Sequence, residues 1–341
     1  MNKLLVIPYF ISMKGCVYNC IYCNQNALKE HGAGESLHEI VQKYMNFSKN
    51  YEAVELAFYG GTFLNLPEKT LLSLLDQAND LKTKGIINSI RISTTPDSVT
   101  YRKASIIRGL VNTVELGVQT LDNRILKLLR RKYDVSQCIE KTGLLKEMGF
   151  NLGYQLMLGL PTQTCLSFRK TIDIVSTVKP DFIRLYPLIV LKNTPIENYI
   201  KLGVTSYCNL DDIFSCGAYA LLECYKRHIK VIRVGLTEFF DEKQIYMGYM
   251  IENWRIMIES FLWRCFLKEI FRNKGKDIFI VNCNLYDYDS IVGVKKQNIN
   301  FFKNMGIELK VFKSPDMDKF SIELGGKKYF LLDFDANLVF I

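Results

Sequence analysis

Proline and glycine are too scarce in this sequence for a disordered, collagen-like or low-complexity chain, with 8 and 21 among 341 residues. No repeat at solenoid spacing and no Gly/Ser linker interrupts it. The chain is 48% hydrophobic and 23% charged, which is ordinary for a folded protein with a large core. The length allows one large domain or two.

A hydrophobic run long enough to cross a bilayer is also missing. The apolar stretch at residues 4–13 is broken by Pro8, and no small-residue cleavage site follows it. Ten cysteines without a secretory signal favour a reducing compartment and free thiols. We therefore expect a soluble, cytoplasmic protein without membrane contact. The net charge of +9 suits an acidic partner or a polyanion but requires neither.

Short β-branched apolar runs alternate with longer segments of helical period, which is typical of βαβ units and a parallel sheet. This pattern predicts an α/β fold: a partial (β/α)6-type TIM barrel of mostly parallel strands over residues 1–236 and a small α+β C-terminal extension over 237–341. The predicted barrel strands are 4–12, 53–59, 89–95, 112–119, 151–158, 181–187 and 231–236. The predicted barrel helices are 36–48, 68–83, 98–109, 122–148 (one helix or two), 164–178 and 210–228. The extension is predicted to contain a helix at 248–273, a strand at 277–282, a helix at 293–305 and several short strands.

The barrel strands carry polar residues on the face opposite their apolar side chains. Because successive side chains of a strand point to opposite faces and helices cover the apolar face, these polar residues should point into the barrel. Such charges either form mutual salt bridges beneath a packed core or meet a polar ligand, since an unpaired buried charge is costly. We favour the ligand. The residues are Arg91, Ser93, Glu115, Gln119, Gln155, Arg184 and Arg233.

The strongest local motif is a cysteine loop directly after the first strand, with Cys16, Cys20 and Cys23 at spacings of four and three. A structural zinc site needs four ligands, and no second Cys or His pair lies nearby. Iron–sulfur clusters normally take four cysteines. Three close cysteines without an obvious fourth therefore predict a [4Fe–4S] cluster with one iron open to a small molecule. The loop would lie at the C-terminal mouth of the barrel, where barrel enzymes keep their active sites.

The pattern Cys-x3-Cys-x-aromatic-Cys, with Tyr22 as the aromatic residue, resembles the signature of the radical S-adenosylmethionine (SAM) superfamily. The resemblance covers about residues 5–240. It is similar to the branch that contains the Elongator catalytic subunit and, more distantly, oxygen-independent coproporphyrinogen oxidase. The supporting segments include Ala57-Phe-Tyr-Gly-Gly-Thr-Phe63, Val114-Glu-Leu-Gly-Val-Gln119 and Gln155-Leu-Met-Leu-Gly-Leu-Pro161.

This resemblance implies an enzyme in which the open iron chelates SAM and the reduced cluster cleaves it to methionine and a 5′-deoxyadenosyl radical that abstracts hydrogen. We expect reduced ferredoxin or flavodoxin as the electron donor, because an acidic carrier would be attracted to a basic protein. The turn Gly60-Gly61-Thr62 would approach the methionyl amino group through its backbone. The same resemblance implies that Arg131, twelve residues after Gln119, binds the methionyl carboxylate.

The remaining SAM contacts implied by the resemblance surround the nucleoside. Gln119 would contact the ribose, Ser93 and Gln155 would line the ribose and adenosine, and Tyr22 would meet adenine, mostly through its backbone. Arg184, Tyr186 and Arg233 are the candidates for substrate contact. The substrate class stays open between RNA, a peptide and a small metabolite.

Two alternatives concern the metal. The chain could be a zinc- or cluster-containing nucleic-acid-binding protein without catalysis, and metal content distinguishes it from the enzyme. Cysteines outside the loop could supply a second cluster, but we expect them to be buried free thiols. These cysteines are Cys138, Cys165, Cys208, Cys216, Cys224, Cys265 and Cys283.

Overall fold

The computed structural model describes residues 4–11, 14–24, 36–48, 50–236, 242–272, 274–275 and 278–340. Its strands are β1 (Leu4–Phe10), β2 (Ala53–Tyr59), β3 (Ser89–Thr94), β4 (Thr113–Gln119), β5 (Asn151–Leu158), β6 (Phe182–Pro187), β7 (Val190–Leu191), β8 (Lys230–Val234), β9 (Ile245–Met247), β10 (Ile278–Cys283), β11 (Glu308–Lys313), β12 (Ser321–Leu324) and β13 (Lys327–Phe330). Its α-helices are α1 (Leu37–Phe47), α2 (Glu68–Thr83), α3 (Tyr101–Ile107), α4 (Asn123–Leu128), α5 (Val135–Glu147), α6 (Cys165–Val178), α7 (Pro195–Lys201), α8 (Leu210–Lys226), α9 (Trp254–Phe271), α10 (Tyr288–Val292) and α11 (Gln297–Asn304).

Seven strands form the main sheet in the order β1-β2-β3-β4-β5-β6-β8, and all neighbouring pairs are parallel. Strands β1 and β8 form its two edges, and the sheet curls into a half-barrel. The predicted partial barrel is therefore confirmed. The strand predicted at 4–12 ends at Phe10, and residue 12 lies outside the described residues.

Local capping explains where the barrel helices begin and end. The segment predicted as one helix at 98–109 is shorter in the structure, because a 3-10 turn at Pro96–Ser98 precedes it. Helix α3 begins only after Thr100, whose side chain accepts a hydrogen bond from the Lys103 backbone. The segment 122–148 forms two helices, α4 and α5, because Arg130 adopts a positive φ and Asp134 caps α5. These caps and the positive φ of Arg130 set the lengths of the loops that precede α3 and α5.

The C-terminal part joins the half-barrel through packed aromatic side chains. Phe214 of α8 contacts Trp254 at the start of α9, with ring centroids 5.9 Å apart. Both Trp254 and Trp263 are buried. A second sheet follows in the order β11-β10-β12-β13, in which β10 is parallel to β11 and antiparallel to β12. The division at 236/237 stays a prediction, because buried side chains from both parts form one continuous core.

Two further findings complete the fold. The helix predicted at 293–305 begins at Gln297, because Gly293, Lys295 and Lys296 all adopt positive φ. A small antiparallel pair, β7 with β9, and the short helices α7 and α10 lack a distinct sequence pattern and were not predicted. Within the described residues, every helix is too short or too polar to span a membrane.

Candidate functional site

The cysteine loop is held at the barrel mouth by backbone contact with the turn after β2. The Thr62 N–H donates to the carbonyl oxygen of Lys14 at 3.2 Å. A Cβ on Gly61 would lie 2.4 Å from that same oxygen, and a Cβ on Gly15, whose φ is +76°, would lie 2.2 Å from the Thr62 carbonyl oxygen. Both glycines are therefore required because the two backbones pack closely together.

Gly61→Ala is expected to displace the cysteine loop, because its methyl group would overlap the Lys14 carbonyl. Overpacking of this kind costs about 1–3 kcal/mol of unfolding free energy. Urea denaturation and iron content after reconstitution measure the two effects. Gly143→Ala is the matched control, since Gly143 lies in α5 with nothing within 4 Å of its Cβ position. Equal stability and iron content in Gly61→Ala and the wild type would contradict this account of the turn.

The three cysteines of the loop lie close enough to influence one another. Cys20 is buried, Cys16 and Cys23 are half-buried, and the Cys23 N–H donates to the Cys20 carbonyl at 3.1 Å. Burial, with added effects of Cys20 and Cys16, raises the pKa of Cys23 to about 12. Three crowded thiols of this kind ionise when a positively charged metal compensates them. The Cys16 sulfur also lies 3.4 Å from the Thr62 hydroxyl.

The donor set fits an iron–sulfur cluster better than a single ion. Within the described part of the chain, no three His, Cys, Asp or Glu side chains gather closely enough to hold one metal ion. A cubane cluster instead spreads its thiolate ligands over separate irons. The loop supplies three thiols, and the other seven cysteines belong to later segments of the chain. The residues present therefore suit a cluster with three protein ligands.

Two of the predicted SAM-binding residues meet beside this loop. The Arg131 guanidinium donates from Nη1 to the Cys20 sulfur at 3.2 Å, and its Nη2 donates to the Gly117 carbonyl. A Cβ on Gly117 would lie 3.1 Å from Nε2 of Gln119 and 3.5 Å from Nη2 of Arg131. Gln119 ends β4 with φ +64° at a break in register with β5. The Arg131 guanidinium thus contacts Cys20, and both it and the Gln119 amide lie beside Gly117.

Tyr22 and Tyr133 flank the same guanidinium. Arg131 donates from Nε to the Tyr133 hydroxyl at 2.8 Å, and that hydroxyl donates to the Gly117 carbonyl at 2.8 Å. Tyr22 lies in the cysteine loop, where burial raises its pKa above the ordinary range. Tyr133 was not predicted as a site residue, although it follows Arg131 by only two residues.

The polar side chains of the barrel interior pair with one another around Glu115. Arg184 contacts the Glu115 carboxylate at 2.9 Å, Arg91 bridges it to Glu55, and Gln155 donates to it at 2.8 Å. Burial alone would raise the pKa of Glu115, but Arg184, Arg91 and the Gln155 hydrogen bond hold it below its usual value. Arg91 and Arg184 therefore form the mutual salt bridges that the sequence left open as the alternative to a ligand, and their contact with a ligand stays a prediction.

The other interior candidates keep their predicted side but differ in their contacts. Ser93 accepts a hydrogen bond from Gln155 at 3.3 Å, so these two residues are brought together. Arg233 lies beside Arg184 in the β6–β8 register and donates to the Leu236 carbonyl. Tyr186 is half-buried on β6. The three substrate candidates therefore share one wall of the half-barrel, next to the last strand.

Three further polar residues near the site make hydrogen bonds and were not predicted from the sequence. Tyr18 of the cysteine loop donates to Asp97 in the turn after β3, and Tyr59 at the end of β2 donates to Glu115 at 3.1 Å. Tyr18 lies within the cysteine motif itself, which was its one signal. Asp97 is far in sequence from its partner Tyr18, and Tyr59 is far from its partner Glu115. Sequence spacing alone therefore could not predict either contact.

Comparison with known families identifies the class. The model described as the radical SAM superfamily matches residues 10–175, and the model of a radical SAM C-terminal domain matches residues 180–264. Together they cover more than half of the chain. The chain belongs to the radical SAM superfamily, a family that includes enzymes and uses a [4Fe–4S] cluster and SAM.

The similar proteins come from both branches of the superfamily that the sequence motifs resemble. The chain is 30% identical over 173 residues to the tRNA uridine(34) acetyltransferase of Methanocaldococcus infernus, covering 45% of this chain and 32% of that protein. The archaeal Elp3 structure from the same organism aligns with a TM-score of 0.56 at 20% identity, covering 81% and 64% of the two chains. Coproporphyrinogen III oxidase (HemN) from Escherichia coli aligns with a TM-score of 0.50 at 17% identity, covering 66% and 53%. The chain thus spans less than two thirds of each of these proteins.

Proposed function

We propose that this protein is a radical SAM enzyme whose Cys16, Cys20 and Cys23 hold a [4Fe–4S] cluster and whose neighbouring residues bind SAM for hydrogen abstraction from a substrate. The observation that carries the proposal is the contact of Arg131 with Cys20, beside Gln119 and at the same barrel mouth as Thr62. Three thiols and a guanidinium from separate segments converge there. This combination matches the need of an iron site that also binds a carboxylate-bearing ligand.

When bound by Cys16, Cys20 and Cys23, the cluster would supply, with SAM, reductive cleavage of the sulfonium to methionine and a 5′-deoxyadenosyl radical. The chain's own residues bind and orient. Arg131 offers a planar fork for the methionyl carboxylate, while Tyr133 holds that fork in place. The backbone of the Gly60-Gly61-Thr62 turn would bind the methionyl amino group, and Tyr22 would contact adenine.

The nucleoside contacts and the substrate wall complete the proposed site. Gln119 would bind the ribose, and Ser93 and Gln155, which are hydrogen-bonded to each other, would contact the adenosine. Tyr186 and Arg233 border the substrate, and Arg184, fixed by Glu115, shapes the same wall. The substrate is RNA, a peptide or a small metabolite. The net charge of +9 and the tRNA-modifying relative favour RNA among these.

We place this reaction in the cytoplasm, with reduced ferredoxin or flavodoxin as the electron donor. Both carriers are acidic in general, so a basic protein would attract them electrostatically. The decisive experiment incubates anaerobically reconstituted protein with dithionite and SAM and measures 5′-deoxyadenosine by chromatography. Formation of 5′-deoxyadenosine supports the proposal. An intact cluster without formation of 5′-deoxyadenosine would show that the protein binds a cluster but does not cleave SAM.

Arg131→Ala is expected to weaken SAM binding about tenfold or more while the cluster absorbance persists, because a charge-assisted fork to a carboxylate is lost. Calorimetric titration of SAM into the anaerobic protein measures the effect. Lys127→Ala is the matched control, since Lys127 is an exposed cation four residues before Arg131. Unchanged affinity in Arg131→Ala would remove Arg131 from the proposed site.

A further inference from the structure

Two cysteines outside the cluster loop lie side by side where α6 and α8 meet. The Cys216 sulfur is 3.9 Å from the Cys165 sulfur, although the two residues are 51 positions apart. Cys165 is the first residue of α6 and is half-buried, whereas Cys216 lies in the second turn of α8 and is only 4% exposed. One sulfur is therefore reachable from solvent and the other lies behind it.

The surroundings give the two sulfurs different chemical characters. Cys165 follows the N-cap Thr164, so the backbone N–H groups at the start of α6 favour negative charge on its sulfur. The hydrogen bond from Cys216 lowers the pKa of Cys165 and, together with burial, raises that of Cys216. The Cys165 thiol itself donates to Oδ1 of Asp212 at 3.6 Å, and the Asp212 charge raises the pKa of Cys165, against the effect of Cys216. Cys208 adds to the raised pKa of Cys216. The pair therefore consists of a half-buried sulfur whose pKa Cys216 lowers and a buried thiol behind it.

We propose that Cys165 and Cys216 form a thiol–disulfide exchange site that reacts with small-molecule disulfides and closes a covalent link between α6 and α8. The inference is independent of the proposed radical chemistry. The two sulfurs need to approach by about 2 Å to reach the length of a disulfide bond.

The exchange proceeds in two balanced steps. The Cys165 thiolate attacks one sulfur of the small disulfide, forms a bond to it and releases one thiolate. Cys216 then loses its proton, attacks the Cys165 sulfur, closes the Cys165–Cys216 bond and releases the second thiolate. The cysteine pair gives up two electrons and its protons, and the small disulfide is reduced to two thiols.

Oxidised glutathione is the probe for this site. The anaerobically reconstituted, full-length protein is incubated with it, the remaining thiols are alkylated, and the peptides are mapped by mass spectrometry without reduction. A linked peptide pair containing Cys165 and Cys216 is expected, with two hydrogens lost and no glutathione retained. The same link is expected in a chain with Cys16→Ser, Cys20→Ser and Cys23→Ser, which separates this site from the cluster.

Single substitutions test the order of the two sulfurs. Cys216→Ser should stop the reaction at a mixed disulfide of Cys165 with glutathione, and Cys165→Ser should leave Cys216 unmodified. Cys224→Ser is the matched control, because Cys224 lies on the same helix and burial raises its pKa to about 12. It should form the link at the wild-type rate. A link from Cys165 to Cys208 instead, or no modification of Cys165 in folded protein, would overturn the proposal.

Discussion

Replacing Cys16, Cys20 and Cys23 by serine is expected to abolish both iron binding and 5′-deoxyadenosine formation. Each thiolate is needed, because a serine hydroxyl stays protonated and is a poor ligand for iron in a sulfide cluster. The reconstituted wild type should be brown and hold about four irons per chain, whereas the triple variant should be colourless. Iron analysis, visible absorbance and product chromatography give three independent measurements.

The control for these variants is Cys138→Ser, which removes a buried thiol from α5 and leaves the loop intact. It should retain iron and colour even if its stability falls. A wild type that binds one zinc and stays colourless would instead favour the nucleic-acid-binding alternative. Retention of four irons by the triple variant would mean that the cluster is held elsewhere, and the proposed function would fail with it.

The half-barrel was predictable because its strands show a clear alternation of apolar and polar residues in the sequence. The run Val114-Glu-Leu-Gly-Val-Gln119 alternates apolar and polar residues, and both its strand span and its polar side agree with β4. The helix bounds were less predictable where a local cap overrides the helical period. Thr100 and Asp134 set the starts of α3 and α5, and such hydrogen bonds compete with helix propensity over a few residues.

The partners of interior charges could not be predicted from sequence, because parity gives a side chain's direction and not its neighbour. Arg91, Glu115 and Arg184 were all placed inside the barrel correctly. Their pairing depends on the strand register, which sets Ser93 opposite Glu115 and Gln155 opposite Arg184. The neighbour of Gly61 could not be predicted from the sequence either. Its position predicted contact with a ligand, whereas the structure shows the Lys14 backbone packed against it.

Glu115→Ala is expected to lower the free energy of unfolding by about 3–5 kcal/mol, the largest stability effect of any substitution in the half-barrel considered above. It would leave Arg91 and Arg184 without a carboxylate between them, and the Glu115 side chain is fully buried. Urea denaturation measures the loss. Glu68→Ala is the matched control, because its ion pair with Arg102 is exposed and screened by water, so the change should be much smaller.

The pH dependence of stability provides a separate test of the same ion pairs. The arginines hold the pKa of Glu115 below its unfolded value, so its contribution is complete above about pH 4.3 and declines as pH falls through the folded pKa. Glu115→Gln preserves the shape of the side chain but has no carboxylate to titrate. The variant should be less stable than the wild type at neutral pH, and the gap should narrow in acid. A constant gap across that range would mean that the wild-type carboxylate is not stabilised by Arg91 and Arg184.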